Sequence, residues 1–268
     1  MNIGILAYLL ICIAALAVSG LTLFSGFGLG TLLMPVFALF FPIEVAVAAT
    51  AVVHLTNNLF KLGLLWKHAD WGAVARFAIP AAALASVGAL LLAILSRMHP
   101  LKTYMLGGSV HNVTAVKVVV GVLIALFAIF ELLPALESSI QFGRKTLPLG
   151  GALSGFFGGL SGHQGALRSA VLIRAGLSKE AFIATGVVCS VIVDIFRLMV
   201  YGIVFFSGHF QQVMKSEGAA LVGAATLAAF AGAFVGSRLM KKVTMNAVKR
   251  LVGVMLIMLA IGLGAGLI

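Results

Sequence analysis

Charge is what this sequence has least of. Only 9% of its 268 residues are charged, where a soluble domain carries about a quarter. Acids are scarcest, with 7 Asp+Glu against 18 Lys+Arg. So few charges cannot cover the surface of a soluble fold this long, and no soluble domain is appended. Cysteine is nearly absent too. Cys12 and Cys189 lie inside apolar runs, which argues against a disulfide framework. No H-E-x-x-H or comparable metal-ligand spacing occurs, and no cofactor is called for. The strand-period alternation of an outer-membrane barrel is missing. No basic patch stands on a soluble face, so nucleic acid is excluded as a partner. The first apolar stretch lacks a basic leader and reads as part of the fold rather than a cleaved signal.

What remains is hydrophobic. Apolar residues make up 62% of the chain, and the mean hydropathy is +1.19. Runs of roughly 20 apolar residues recur from end to end, each long enough to span a bilayer as a helix. The expected class is an all-α polytopic membrane protein with lipid as its surroundings. The longest polar stretches, 97–117 and 136–147, read as connectors.

The chain reads as two related halves. Adding 135 to the numbers of 19–53 brings Ser19, Gly20, Gly30 and Thr50 onto Ser154, Gly155, Gly165 and Thr185 without gaps. A later stretch, 116–122, resembles 248–254. The expected division is a first repeat over 1–135, a connecting loop over 136–146 and a second repeat over 147–268. Each opens with a glycine-broken apolar segment, 3–41 and 147–173. Three unbroken spans follow in each: 44–65, 73–95 and 115–133, then 179–206, 219–239 and 245–268. In the second half, arms at 147–154 and 165–173 flank the glycine-rich stretch 155–162. In the first, 31–41 is short and Pro35 interrupts it. At about 1.5 Å per residue, such arms reach about half-way across a membrane. They are expected to form re-entrant hairpins with glycine tips near the midplane, where irregular backbone is tolerated if it lines a cavity.

Hairpins that make no net crossing leave three crossings per half, and an odd count inverts one half relative to the other. The bases then divide unevenly. Lys67, Arg76, Arg144, Lys145, Arg174, Lys179, Arg238, Lys241, Lys242, Lys249 and Arg250 fall on one side, and Arg97, Lys102, Lys117 and Lys215 on the other. The richer side is expected to be cytoplasmic, with both termini on the other face. The rival arrangement has eight spans in parallel halves and a less uneven division. Trp66, Trp71 and Lys67 suit an interfacial belt. His68, His99, His111 and His209 lie in loops and receive no role.

Four charges remain inside the apolar spans: Lys61, Arg168, Asp194 and Arg197. Such charges are costly and face a partner or an aqueous cavity. Three bases against one acid suit an anionic ligand. Thr50, His54, Asn57, Asn58 and Lys61 share one helical face and offer donors to an oxyanion. Thr185, the repeat mate of Thr50, joins them. Ser190, Asp194, Arg197 and Tyr201 form a second polar face. Its Asp194 is the natural site for a coupling proton or Na⁺, unless it and Arg197 are a structural pair. Ser161-Gly162-His163-Gln164-Gly165-Ala166-Leu167-Arg168 falls at the second tip, where backbone N–H groups and a guanidinium would face an anion. The first tip, with Gly28 and Gly30, offers backbone only. The plainer alternative is that these polar groups glue helices together and the glycines permit close packing.

The run Gly26-Phe27-Gly28-Leu29-Gly30-Thr31-Leu32-Leu33-Met34-Pro35, followed by Pro42 and Ala46-Val47-Ala48-Ala49-Thr50, has a counterpart in Gly158-Gly159-Leu160-Ser161-Gly162-His163-Gln164-Gly165. Together these resemble the TauE/SafE family of membrane transporters over nearly the whole chain. Phe27 and Leu29 interrupt a run that is denser in glycine in the family. The 162–168 segment is also more polar than is common there, as in a sub-branch. The resemblance implies a carrier of the bacterial cytoplasmic membrane moving sulfite, sulfoacetate or related sulfur compounds.

The expected function is therefore secondary transport of a small sulfur oxyanion or organosulfonate, held between the two tips. A passive anion channel would use the same cationic interior. An intramembrane lipid-phosphate enzyme would need acid–base partners that the chain lacks. A homo-oligomer is compatible with everything above.

Overall fold

The computed structural model describes residues 4–22, 29–132, 143–205, 218–239 and 245–267. These form ten α-helices: α1 (Ile5–Thr22), α2 (Leu29–Ala38), α3 (Ile43–Leu65), α4 (Trp71–Ser96), α5 (Ala115–Leu132), α6 (Leu147–Ser161), α7 (Gly165–Leu172), α8 (Lys179–Phe205), α9 (Ala219–Leu239) and α10 (Met245–Gly264). The six long spans expected from hydropathy are all helical and begin within two residues of the expected positions. Ile43–His68, Trp71–Ser96 and Lys179–Val204 are long and apolar enough to cross a membrane.

The burial pattern is turned inside out. Ile79 and Ile203 are 71% and 79% exposed, while Asp194 and Arg197 are fully buried. A water-soluble fold would reverse that order; hydrocarbon favours it. Helix α2 sits deepest, with nine of its ten residues buried.

Two expectations need correction. The glycine-rich stretch 155–162 is not an irregular tip. Helix α6 runs unbroken to Ser161, and the turn is confined to Gly162, His163 and Gln164. The glycines are there for packing. A Cβ on Gly151, Gly155 or Gly159 would lie 2.2, 2.0 or 2.0 Å from the carbonyl oxygen of Phe77, Ala81 or Ala85. A Cβ on Gly88 would in turn meet the Phe156 carbonyl at 2.1 Å. Small residues let α4 and α6 pack backbone to backbone, as membrane helices do. Second, Pro35 lies within α2 without ending it; in so short a helix it removes a single hydrogen bond. The 97–117 connector, as expected, joins two helices, and it holds a two-stranded antiparallel hairpin, β1 (Lys102–Leu106) with β2 (Ser109–Val113). Gly107 and Gly108, both at positive φ, supply the primed turn that suits the twist of a hairpin.

The halves exchange partners. Helix α4 packs most extensively on α6, and α1 on α9, while α3 meets α8 and α5 meets α10. Helices α4 and α6 run parallel, since the contacts of Gly151, Gly155 and Gly159 advance together with those of Phe77, Ala81 and Ala85. Helices α5 and α10 run antiparallel: Gly121 faces Ala260, and Gly253 faces Leu132. Helix α7 folds back along α6, with Val171 against Gly150 and Gln164 against Gly158.

The two ends of the bundle carry different polar contacts. At one end Asp70 caps α4 by accepting from Ala73 N at 2.9 Å, and it also pairs with Arg144. At the other, Arg97 donates to the Val204 carbonyl at 3.0 Å, and the Tyr104 hydroxyl donates to the Ala265 carbonyl at 2.5 Å. Tyr104 also stacks on His111.

Candidate functional site

The turn between α6 and α7 organises the interior. Gly162 adopts φ +80°, a left-handed conformation that glycine takes without strain. Its N–H caps the helix by donating to the Gly158 carbonyl at 3.0 Å. Gln164 then folds back over Gly158, where a Cβ would stand 2.7 Å from its own. The Ser154 hydroxyl holds the turn by donating to the Gln164 carbonyl at 2.9 Å. Helix α2 of the first half abuts the same turn: a Cβ on Gly30 would lie 3.2 Å from the Gly162 carbonyl oxygen. Gly28 lies outside the described residues. Gly165, buried, opens α7.

Asp194 is the hub. Its Oδ1 accepts from Gln164 Nε2 at 2.9 Å and from Arg197 Nε and Nη2 at 3.0 and 2.7 Å. Its Oδ2 lies 2.6 Å from His54 Nδ1. Arg197 Nη1 reaches the Gly158 carbonyl at 2.9 Å, and the Tyr201 hydroxyl donates to the Gly159 carbonyl. The polar face of α8 thereby docks on the end of α6. Thus α3, the turn and α8 converge on a single carboxylate.

Around this hub the other candidates separate into kinds. Asn58 Nδ2 donates to the His54 carbonyl at 2.9 Å. Asn57 Oδ1 accepts from Ser19 at 3.4 Å. Among the described residues, Thr50 Oγ1, Asn57 Nδ2 and His163 Nε2 are buried without a hydrogen-bond partner. His163 donates from Nδ1 to the Ser161 carbonyl at 2.8 Å, since a carbonyl can only accept; Nε2 is therefore a bare acceptor. Its ring stacks on Phe127 at 5.8 Å. Arg168 is buried beside Gly186 of α8 and lies within electrostatic reach of Lys61, Cys189 and Asp194. Lys61 is also buried.

Three candidates are not brought into the cluster. Thr185 accepts from Asp70 N at 3.0 Å, at the end of the bundle that holds the Arg144 pair. The hydroxyls of Ser161 and Ser190 return to carbonyls of their own helices. Sequence reasoning passed over Ser19 and Ser154, repeat mates that each steady a polar side or turn of the site. It also passed over Phe127, the platform for His163. The repeat match was the signal for the two serines; nothing local marked Phe127.

The family model described as Sulfite exporter TauE/SafE matches residues 10–263. The chain belongs to the TauE/SafE family. No curated protein and no solved structure matches it. TauE/SafE proteins are transporters rather than enzymes, so the buried network belongs to a multi-pass membrane protein that handles a small anion. Among the described residues of this TauE/SafE chain, three basic side chains, Lys61, Arg168 and Arg197, and one carboxylate, Asp194, are buried.

Proposed function

We propose that the chain is a secondary carrier of a small sulfur oxyanion or organosulfonate, such as sulfite or sulfoacetate, in the bacterial cytoplasmic membrane. The observation that carries this is the charge imbalance of the buried cluster. Among the described residues the buried ionisable side chains include three bases, Lys61, Arg168 and Arg197, against one carboxylate, Asp194, which pairs with Arg197. Charges at such depth are costly and suit a counter-ion that comes and goes. Thr50 Oγ1 and Asn57 Nδ2 add donors for oxyanion oxygens, and Arg168 adds a planar guanidinium for a face of oxygens. The anion would sit by the turn where Gly30 meets Gly162.

The architecture supports alternating access. The hairpin of α6 and α7, the exchanged packing of the halves and the antiparallel run of α5 against α10 fit re-entrant, inverted repeats. Inverted repeats meeting at the midplane are a transporter plan in which one bundle rocks against the other. By the charge rule the end with Lys67, Arg144, Lys145, Arg174 and Lys179 is cytoplasmic, and the β-hairpin end faces outward with both termini. Asp194 is the candidate coupling site, for H⁺ or Na⁺.

A thermal-shift screen of detergent-purified protein tests the anion site. Sulfite, thiosulfate, sulfate, sulfoacetate, phosphate and chloride are compared for wild type and Arg168→Gln. A ligand at about 100 times its Kd adds about 2.7 kcal/mol to the folded state. The expected result is stabilisation by sulfur anions that Arg168→Gln loses. Equal stabilisation of both proteins would remove Arg168 from the site, and no response to any anion would remove the anion reading.

A further inference from the structure

We propose that the ion coupled to the anion is a proton and that His54 carries it. This rests on the carrier reading above and chooses between the two coupling ions left open there.

The surroundings of Asp194 decide against a metal ion. Four N–H donors point at its two oxygens, from Gln164, twice from Arg197, and from His54. Sodium, like other hard cations, needs a shell of oxygen lone pairs, and here the carboxylate is surrounded by hydrogens. Arg197, tied in addition to the Gly158 carbonyl, and the other donors leave both carboxylate oxygens occupied by N–H groups. An added proton therefore does not go to Asp194.

It goes to the imidazole. An ionised carboxylate only accepts, so Nδ1 of His54 carries the hydrogen of the 2.6 Å bond. Nε2 is then the unprotonated nitrogen, facing the Asn58 amide donor, and a second proton there would displace that donor. The polar and charged groups given for this ring come from α3, α7 and α8, and α2 packs beside it. Asn58 on its own helix brings an amide within 3.3 Å of Nε2. Gly30 of α2 lies beside Cδ2. Asp194 and Arg197 come from α8, and Arg168 of α7 is within electrostatic reach. His163, also buried, forms its hydrogen bond inside its own turn and touches no carboxylate among the described residues.

Position gives the proton its effect. His54 belongs to the first half, and Asp194 and its other donors to the second, 140 residues away. Loading Nε2 turns this cross-half contact into a charge-assisted bond and makes the cluster one unit more positive. A more positive cluster holds an anion better, and by linkage the anion holds the proton better by the same factor. Proton and anion then travel in the same direction. The proton enters Nε2 from water on one side and leaves it to water on the other, and no electron moves.

The test uses purified full-length protein in liposomes with isotopically labelled sulfite. With acid outside, wild type should accumulate label, and replacing Na⁺ by K⁺ should change nothing. His54→Gln should cut accumulation about tenfold, within the usual range for two coupled sites. It should still exchange labelled for unlabelled sulfite without a pH gradient, at a reduced rate. Asn58→Leu, which strips the amide donor from beside Nε2, should ease proton loading and move pH-driven accumulation to higher pH, and it covers the case in which His54→Gln does not fold. Accumulation driven by a Na⁺ gradient overturns the proposal, as does full pH-driven accumulation in His54→Gln or an unshifted pH dependence in Asn58→Leu. Wild type that exchanges sulfite yet ignores pH overturns the proposal alone. Wild type that exchanges no sulfur anion overturns the carrier reading and this proposal with it.

Discussion

Single side chains here work in opposed ways, and substitutions should separate them. Asp194 and Arg197 are both fully buried, so removing one leaves the other uncompensated. Arg197→Leu alone should destabilise the protein by about 3–5 kcal/mol, and Asp194→Leu with Arg197→Leu should recover much of it. Thermal melts of the four combinations check this; additive losses would mean the pair is not coupled. Thr50 is the reverse case. Its hydroxyl is buried without a partner among the described residues, a state that costs about 1–3 kcal/mol. Thr50→Val should therefore melt no lower than wild type while binding sulfite about tenfold more weakly, one hydrogen bond's worth. A lower melt with unchanged binding would make Thr50 a structural residue.

Elements show why part of this was legible in the sequence and part was not. Long spans announce themselves, because hydrocarbon demands continuous apolar helix and little else produces it. Asp194 and Arg197 were legible as a pair because helical geometry brings i and i+3 together. Their link to Gln164 and His54 was not, since nothing local ties residues 30 and 140 apart. Glycine was the main source of error, because one residue type both breaks helices and lets them touch. Only contact with α4 reveals that Gly155 packs and Gly162 turns. That distinction is testable. Gly155→Leu should separate α4 from α6 and abolish the monodisperse folded protein in size-exclusion chromatography. Gly63→Ala, with open space around its Cβ, should melt as wild type or up to about 1 kcal/mol higher. Similar behaviour of the two would remove the packing account.

The whole molecule makes a claim about sidedness. Gly108 is at the tip of the β-hairpin and Lys67 at the opposite end of the bundle. In intact cells a membrane-impermeant maleimide should label Gly108→Cys at once and Lys67→Cys only after permeabilisation. The reverse pattern would turn the protein over, and equal labelling of both would remove the three-crossing count. The native cysteines interfere little, because Cys189 is buried and Cys12 is partly covered.

The exchanged packing of the halves also bears on how the chain is made. Helix α4 leaves the ribosome well before α6, the helix whose backbone it presses against. Helix α1 waits longer still, for α9 near the end of the chain. The first half therefore enters the bilayer with its closest contacts unmade, and its glycine and alanine seams stay open to lipid until the second half arrives. On this packing neither half should fold alone. Two gene fragments cut within 133–142 should each be degraded when made alone and should survive together, so quality control of this protein acts on the completed chain.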